Sequence, residues 1–345
     1  MKGARKAEAT NGSRERPSAS GSSNKRKTVA ICFSILLFVA FFVMAVMKGA
    51  VEMDFFNLTG IERNILIHVR IPRVLLAGLV GAALSLSGAL FQYVMKNPLA
   101  DSFTTGVSAS SAMGAVVAIM LGLTAILPLF ALLGGIIGLT AVYRISTVGG
   151  KVQPITMLLA GIVVSTFSSA VIGLMKFLSE DAVSSIIFWL MGGFQSASLK
   201  KVGLLGVVTI LSFLVVRRDY LGLDIICFDD KTARSSGVSV DAMRRRAFFI
   251  AALLTAFSVD YAGIIAFVGL IVPHILRLAG FSKASELLPL SLTTGAAFMI
   301  LNDLIARTAL TEGQELPVGI ITSTIGGGFF LYLLIKRKKE LHYFA

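Results

Sequence analysis

Residues 70–106 read RIPRVLLAGLVGAALSLSGALFQYVMKNPLADSFTTG. A basic collar, Arg70-Ile-Pro-Arg73, opens a long apolar span that closes on Gln92…Asn97-Pro98-Leu99-Ala100-Asp101. This order is that of a membrane helix with a polar device at each end. Within it Gly78, Gly81, Ser85, Gly88 and Ala89 stand at helical offsets that let a neighbouring backbone come close. Packing explains the small residues but leaves the polar ends without a reason.

Working outward, the chain has 345 residues, of which 55% are hydrophobic and only 15% charged. Its mean hydropathy is +0.83, and an ordinary soluble domain is about 45–50% apolar. The bilayer is therefore the expected solvent. The net charge of +13 does not point to nucleic acid, because the basic residues flank apolar spans, as membrane orientation requires. Cys32 and Cys227 lie far apart and match no metal or redox spacing.

At about 20 apolar residues per span, the sequence divides into about ten spans, centred near residues 38, 84, 113, 133, 166, 209, 253, 270, 297 and 327. The expected fold is all-α and polytopic. Residues 1–27 form a basic tail expected to be disordered and cytoplasmic, 28–338 the transmembrane domain, and 339–345 a cytoplasmic C-terminal tail. An even number of spans puts both termini on one side, with the loop 217–246 and its Arg244-Arg245-Arg246 triplet. Lys176, Lys200 and Lys201 fall near the outer face against that rule. Two apolar runs of double length, 103–142 with Pro128 and 247–278 with Asp260, are each expected to fold as a helical hairpin. Ser184–Phe194, with the only tryptophan, Trp189, is too short to span and reads as an interfacial half-helix.

The polar devices narrow the function. In the segment Phe228–Val238, Asp229 and Asp230 suit the first turn of a short helix and Gly237 its exit. A connector between two spans needs only about four residues, so this longer insertion reads as a lever for a cytoplasmic partner. Pro273 lies inside a span, followed by His274 and Arg277; a proline there frees a carbonyl that protein or water must satisfy. Asp303 and Arg307 stand four apart on one helix face, ahead of Glu315-Leu316-Pro317-Val318-Gly319. They suit an i,i+4 ion pair and a place on a substrate path equally. With Arg70 and Arg73, Arg307 would also make a dock for an acidic protein surface. With only His68, His274 and His342 and no ligand cluster, no metal site is expected. No phosphate-binding loop and no catalytic set occurs, so the chain reads as a transport path, not an enzyme, whose energy comes from elsewhere.

Together these blocks closely resemble the permease subunits of ABC importers for iron-siderophore complexes, haem and vitamin B12, the FecCD family. The resemblance covers about 51–338 and is carried by Arg70-Ile-Pro-Arg73, the block from Gly81 to Asp101, Phe267–Arg277, Asp303…Arg307 and Glu315–Gly319. It implies a ten-helix permease of the vitamin B12 importer type in the inner (cytoplasmic) membrane. The permease would pair with itself or a paralogue, two cytoplasmic ATPase subunits would carry ATP and Mg, and an extracytoplasmic binding protein would deliver the cargo. No cofactor would be bound by this chain.

By the same resemblance Arg70, Arg73 and Arg307 would meet carboxylates of the binding protein. Asp229, Asp230, Thr232, Ala233, Arg234, Ser236 and Gly237 would couple to the ATPase. Gln92, Asn97, Pro98, Pro273, His274, Arg277 and Asp303 would belong to the translocation path or its framework. Ser236 replaces the family's usual leucine, Ser102 a common proline, and Gly328 another. The expected cargo is an iron-siderophore, with vitamin B12 or haem as alternatives. An ion-coupled secondary transporter would need charged residues near mid-membrane, which are sparse here, and no long 217–246 loop.

Overall fold

The computed structural model describes residues 19–49, 59–179, 181–310 and 314–341, and most of these are helical. In order the helices are α1 (Ala19–Met47), α2 (Gly60–Ile65), α3 (Ile71–Met95), α4 (Val107–Met120), α5 (Leu127–Ser146), α6 (Pro154–Leu178) and α7 (Val183–Leu190). They continue as α8 (Leu199–Arg217), α9 (Tyr220–Phe228), α10 (Asp230–Ser235), α11 (Val240–Ala262), α12 (Val268–Leu278), α13 (Ala284–Thr308) and α14 (Val318–Leu341). The strands among the described residues are β1 (Thr147–Val148) and β2 (Lys151–Val152), which pair antiparallel with Thr147 opposite Val152.

Helices α1, α3, α4, α5, α6, α8, α11, α12, α13 and α14 fall on the ten centres read from the sequence. Six apolar segments, built on α1, α3, α5, α6, α8 and α13, are by length and composition long enough to cross a membrane. Shorter apolar helices lie in α4, α12 and α14, and α11 begins with the Arg244–Arg246 triplet. The run 103–142 is the hairpin α4–α5, with Pro128 in the first turn of α5, where its missing N–H has no helical partner to lose. The run 247–278 divides into α11 and α12, which lie mainly against α3 rather than on each other as a hairpin, and Asp260 lies inside α11. The break comes later, where Gly263 (φ 67°) ends α11 and Phe267 (φ 69°) opens α12. The half-helix is α7, with Trp189 near its end.

Helix α1 already begins at Ala19, so part of the basic tail is helical, while residues 1–18 lie outside the described residues. At the other end α14 continues to Leu341, and residues 342–345 lie outside them.

Helix α3 is the axis of the bundle and is buried along nearly its whole length. Lipid tails are as apolar as leucine, so close backbone packing, not hydrophobic transfer, holds such helices together. The small residues supply it: a Cβ on Gly81 would collide with the Gly295 carbonyl of α13, and one on Gly88 with the Gly269 backbone of α12. Phe91 of α3 and Phe248 of α11 meet edge to face at 5.7 Å. By contrast α6 shows a broad apolar exterior, with Ile155, Leu159, Val163, Phe167 and Phe177 exposed, as a surface facing lipid or another subunit requires.

Candidate functional site

Three polar clusters lie along α3. The first, at the end of the bundle holding Asp303, contains the arginine collar. A π-turn at Leu66–Arg70 joins α2 to α3; Ile67, His68 and Val69 on it are exposed, whereas Arg70 is buried. The Arg70 guanidinium donates from Nη1 to the carbonyls of Val46 (3.0 Å) and Met47 (3.3 Å). Arg307 donates from Nη2 to the Ala45 carbonyl at 3.2 Å. These are last-turn carbonyls of α1, which have no helical partner, so two arginines cap the first span.

Arg73 donates from Nε (3.1 Å) and Nη2 (3.0 Å) to Asp303 Oδ1, and from Nη1 to both Glu315 oxygens at 2.8 and 2.9 Å. Arg307 Nε stands 3.0 Å from Asp303 Oδ2, the expected i,i+4 pair. One carboxylate thus bridges two guanidiniums inside the protein. Relative exposures are 5% for Arg70, 7% for Arg73 and 4% for Arg307, so all three are buried within this chain. The sequence offered the Arg307–Asp303 pair but not the partners that Arg70 and Arg73 find in this chain. The basic side chains that do face solvent nearby in sequence are Lys48 and Arg63.

The second cluster lies in the last turn of α3, against the middle of α12. Pro273 sits inside α12 and has no N–H, so the carbonyl four residues earlier, that of Gly269, loses its helical donor. Gln92 of α3 replaces it, donating from Nε2 to the Gly269 oxygen at 3.3 Å. The other end of the same amide accepts from Arg277 Nη1, and the Arg277 guanidinium lies 5.6 Å from the Tyr93 ring centre. His274 packs against Phe329 and Phe330 at ring distances of 6.2 and 5.7 Å. Gln92, Pro273 and Arg277 therefore form one framework unit. The inner amide satisfies the carbonyl that the proline leaves open, as the sequence required of some group.

The third cluster holds α10. Asp229 caps the helix, its Oδ2 accepting from Thr232 N (2.9 Å) and Thr232 Oγ1 (3.2 Å). The backbone N–H of Thr232 keeps the exposed Asp229 carboxyl below its usual range. Ser235 and Ser236 donate their hydroxyls to the Thr232 carbonyl, and Gly237 turns the chain out at φ 80°, a conformation that favours glycine. Ala233 is fully buried and anchors the helix, while Asp229, Thr232, Arg234, Ser236 and Gly237 are exposed.

Asp230 faces inward. Arg244 of α11 donates to it bidentately, Nη1 to Oδ2 at 2.6 Å and Nη2 to Oδ1 at 2.7 Å, and Lys96 Nζ meets Oδ1 at 2.7 Å. Burial pushes the Asp230 carboxyl up, but the bonds from Arg244 and Lys96 outweigh it and hold it below its usual range. The pairing is therefore fully present at neutral pH and lost only as pH falls through that lowered value. Arg234 pairs with Asp241 at 2.7 Å. In the adjoining turn Asn97 Oδ1 accepts from Leu99 N at 2.9 Å, and Pro98 is exposed.

Lys96 and Arg244 carry no role in the sequence reading, which assigned the Arg244 triplet to orientation alone. A lysine at a helix exit where glycine is usual is the one signal that pointed to Lys96. Lys201, which ran against the charge rule, donates to Ser196 Oγ at 2.9 Å and lies 5.7 Å from the Tyr261 ring centre.

Residues 28–336 match the model of the FecCD transport family. The chain belongs to that family. This FecCD permease is 37% identical over 283 residues to the uncharacterized ABC transporter permease protein YvrB of Bacillus subtilis (strain 168), covering 80% of each chain. It is 37% identical over 272 residues to the cobalamin import system permease protein BtuC of Halobacterium salinarum, covering 78% of this chain and 73% of that one. A solved structure described as an ABC transporter of metal-chelate type, in an inward-facing conformation, superposes with a TM-score of 0.81 at 30% identity, over 89% of this chain and 98% of that one. The FecCD permease is thus a multi-pass membrane subunit of an ABC importer.

Proposed function

We propose that this permease pairs with a second copy or a close paralogue and carries a bulky metal chelate, a ferric siderophore, inward by alternating access. Two ATPase subunits drive it, and an extracytoplasmic binding protein delivers the cargo. The supporting observation is α10: a short capped helix with one buried anchor, Ala233, and an exposed face of Asp229, Thr232, Arg234, Ser236 and Gly237. Such a projecting, rigid element suits docking into a cleft of an ATPase. ATP then shifts a two-state equilibrium through contacts that differ between the states. In this orientation α10, the loop 217–246 and both termini face the cytoplasm, in keeping with their basic character.

The Asp303 end then faces outward. Its buried network of Arg70, Arg73, Arg307, Asp303 and Glu315 braces the docking face, and the exposed Lys48 and Arg63 offer positive charge to an acidic lobe. The name of the Halobacterium relative favours cobalamin as a second reading, itself a metal chelate of similar bulk. Uptake of labelled ferric siderophore, haem and cobalamin by cells lacking the chain, with and without its restoration, decides between them. Loss and rescue of the ferric siderophore alone supports the first reading and of cobalamin alone the second; rescue of none removes both.

A further inference from the structure

The Asp230 cluster ties the exposed helix α10 to the bundle axis. Asp230 binds Arg244 of α11, whose side chain is 1% exposed, and also Lys96, the residue that ends α3. A bidentate guanidinium fork fixes orientation as well as distance, so a displacement of α10 is carried into α11 through a rigid pair. Lys96 carries it into α3.

The backbone at Lys96 is unusual. It is left-handed (φ 50°, ψ 34°), a conformation that glycine adopts freely and other residues only at a cost. A glycine would close α3 with less strain but would leave Asp230 without its second cation. The strain is thus retained together with a side-chain contact that no backbone substitute supplies. From Lys96, α3 runs 25 residues, about 37 Å at helical rise. At its far end Arg73 enters the network with Asp303 and Glu315. Helix α3 is thus a buried helix held by an ionic anchor at each end.

Resting on the assignment of α10 as the ATPase contact, we propose that Lys96 and Arg244 are positioning residues for coupling. They clamp Asp230 so that movement of α10 shifts α3 and, through it, the arginine network at the opposite end. The decisive variant is Lys96→Gly, which relieves the backbone while removing the charge, so a purely structural role predicts a chain at least as stable and fully coupled.

The test uses the complete importer in lipid vesicles, with Cys32 and Cys227 replaced by serine. A cysteine at Ser235 reports cross-linking to the ATPase, and a spin label on a cysteine at the exposed Ile67, beside the network, reports movement when ATP is added. The expected result is a Ser235 cross-link and an ATP-driven change in label mobility that falls about tenfold in Lys96→Gly, with ATP hydrolysis retained and the change restored in Lys96→Arg. A cross-link with an undiminished label response in Lys96→Gly overturns the clamp and leaves α10 as the ATPase contact. Absence of the cross-link overturns the coupling role of α10 and the clamp with it.

Discussion

Replacing Gln92 by leucine and Pro273 by alanine, singly and together, separates a structural bond from a general packing defect. In the native chain the Gly269 carbonyl has lost its helical donor to Pro273 and takes one from Gln92 Nε2 at 3.3 Å, while Gln92 also accepts from Arg277. Gln92→Leu leaves the carbonyl and a guanidinium hydrogen unsatisfied, a loss of about 1–3 kcal/mol, with the long amide bond placing its own share near the low end. Pro273→Ala returns an N–H that reaches the same carbonyl within α12. In that background Gln92→Leu should therefore cost about 1 kcal/mol less than it does alone. Equilibrium unfolding in mixed micelles, followed by far-ultraviolet circular dichroism, gives the four stabilities of the cycle. If the two losses add to within about 0.5 kcal/mol, the sites are independent and the partnership of Gln92 with the proline-freed carbonyl is refuted.

Asp303→Asn should be costly, because it leaves the buried Arg73 and Arg307 facing a neutral amide. The expected loss is about 3–5 kcal/mol in the same unfolding assay, and a loss under about 1 kcal/mol, as for a surface pair, would contradict the buried bridge. Gly88→Val drives side-chain atoms into the Gly269 backbone, which no rotamer avoids. It should destabilise by about 1–3 kcal/mol, whereas the same change at Gly203, which has open space around it, should be tolerated.

Much of the fold was legible because the bilayer imposes a fixed length on each apolar run. The ten centres, the α4–α5 hairpin and the half-helix at Trp189 follow from that constraint and from where Gly and Pro interrupt it. The break near residues 263–267 was misplaced to Asp260 because a carboxylate inside a span looks like a boundary in sequence, although α11 holds it within the bundle.

Site residues were legible where chemistry is local. The Asp229 cap, the Gly237 exit and the Asp303–Arg307 pair all depend on neighbours within one or two turns. The bonds that define the clusters are long-range: Arg73 to Asp303, Gln92 to Gly269 and Lys96 to Asp230 each join distant parts of the chain. Spacing cannot reveal those: Arg70 and Arg307 cap α1, while Arg73 ties α3 to Asp303 of α13 and to Glu315.

In this mechanism ATP hydrolysed by partner subunits drives inward movement through the permease. This is tested most directly by uptake of labelled ferric siderophore and labelled cobalamin into vesicles holding the complete importer, with ATP supplied on the ATPase side. Uptake of one of them should require ATP and persist when ionophores collapse every ion gradient. Uptake that continues without ATP and stops with the ionophores would contradict it and identify an ion-coupled carrier instead.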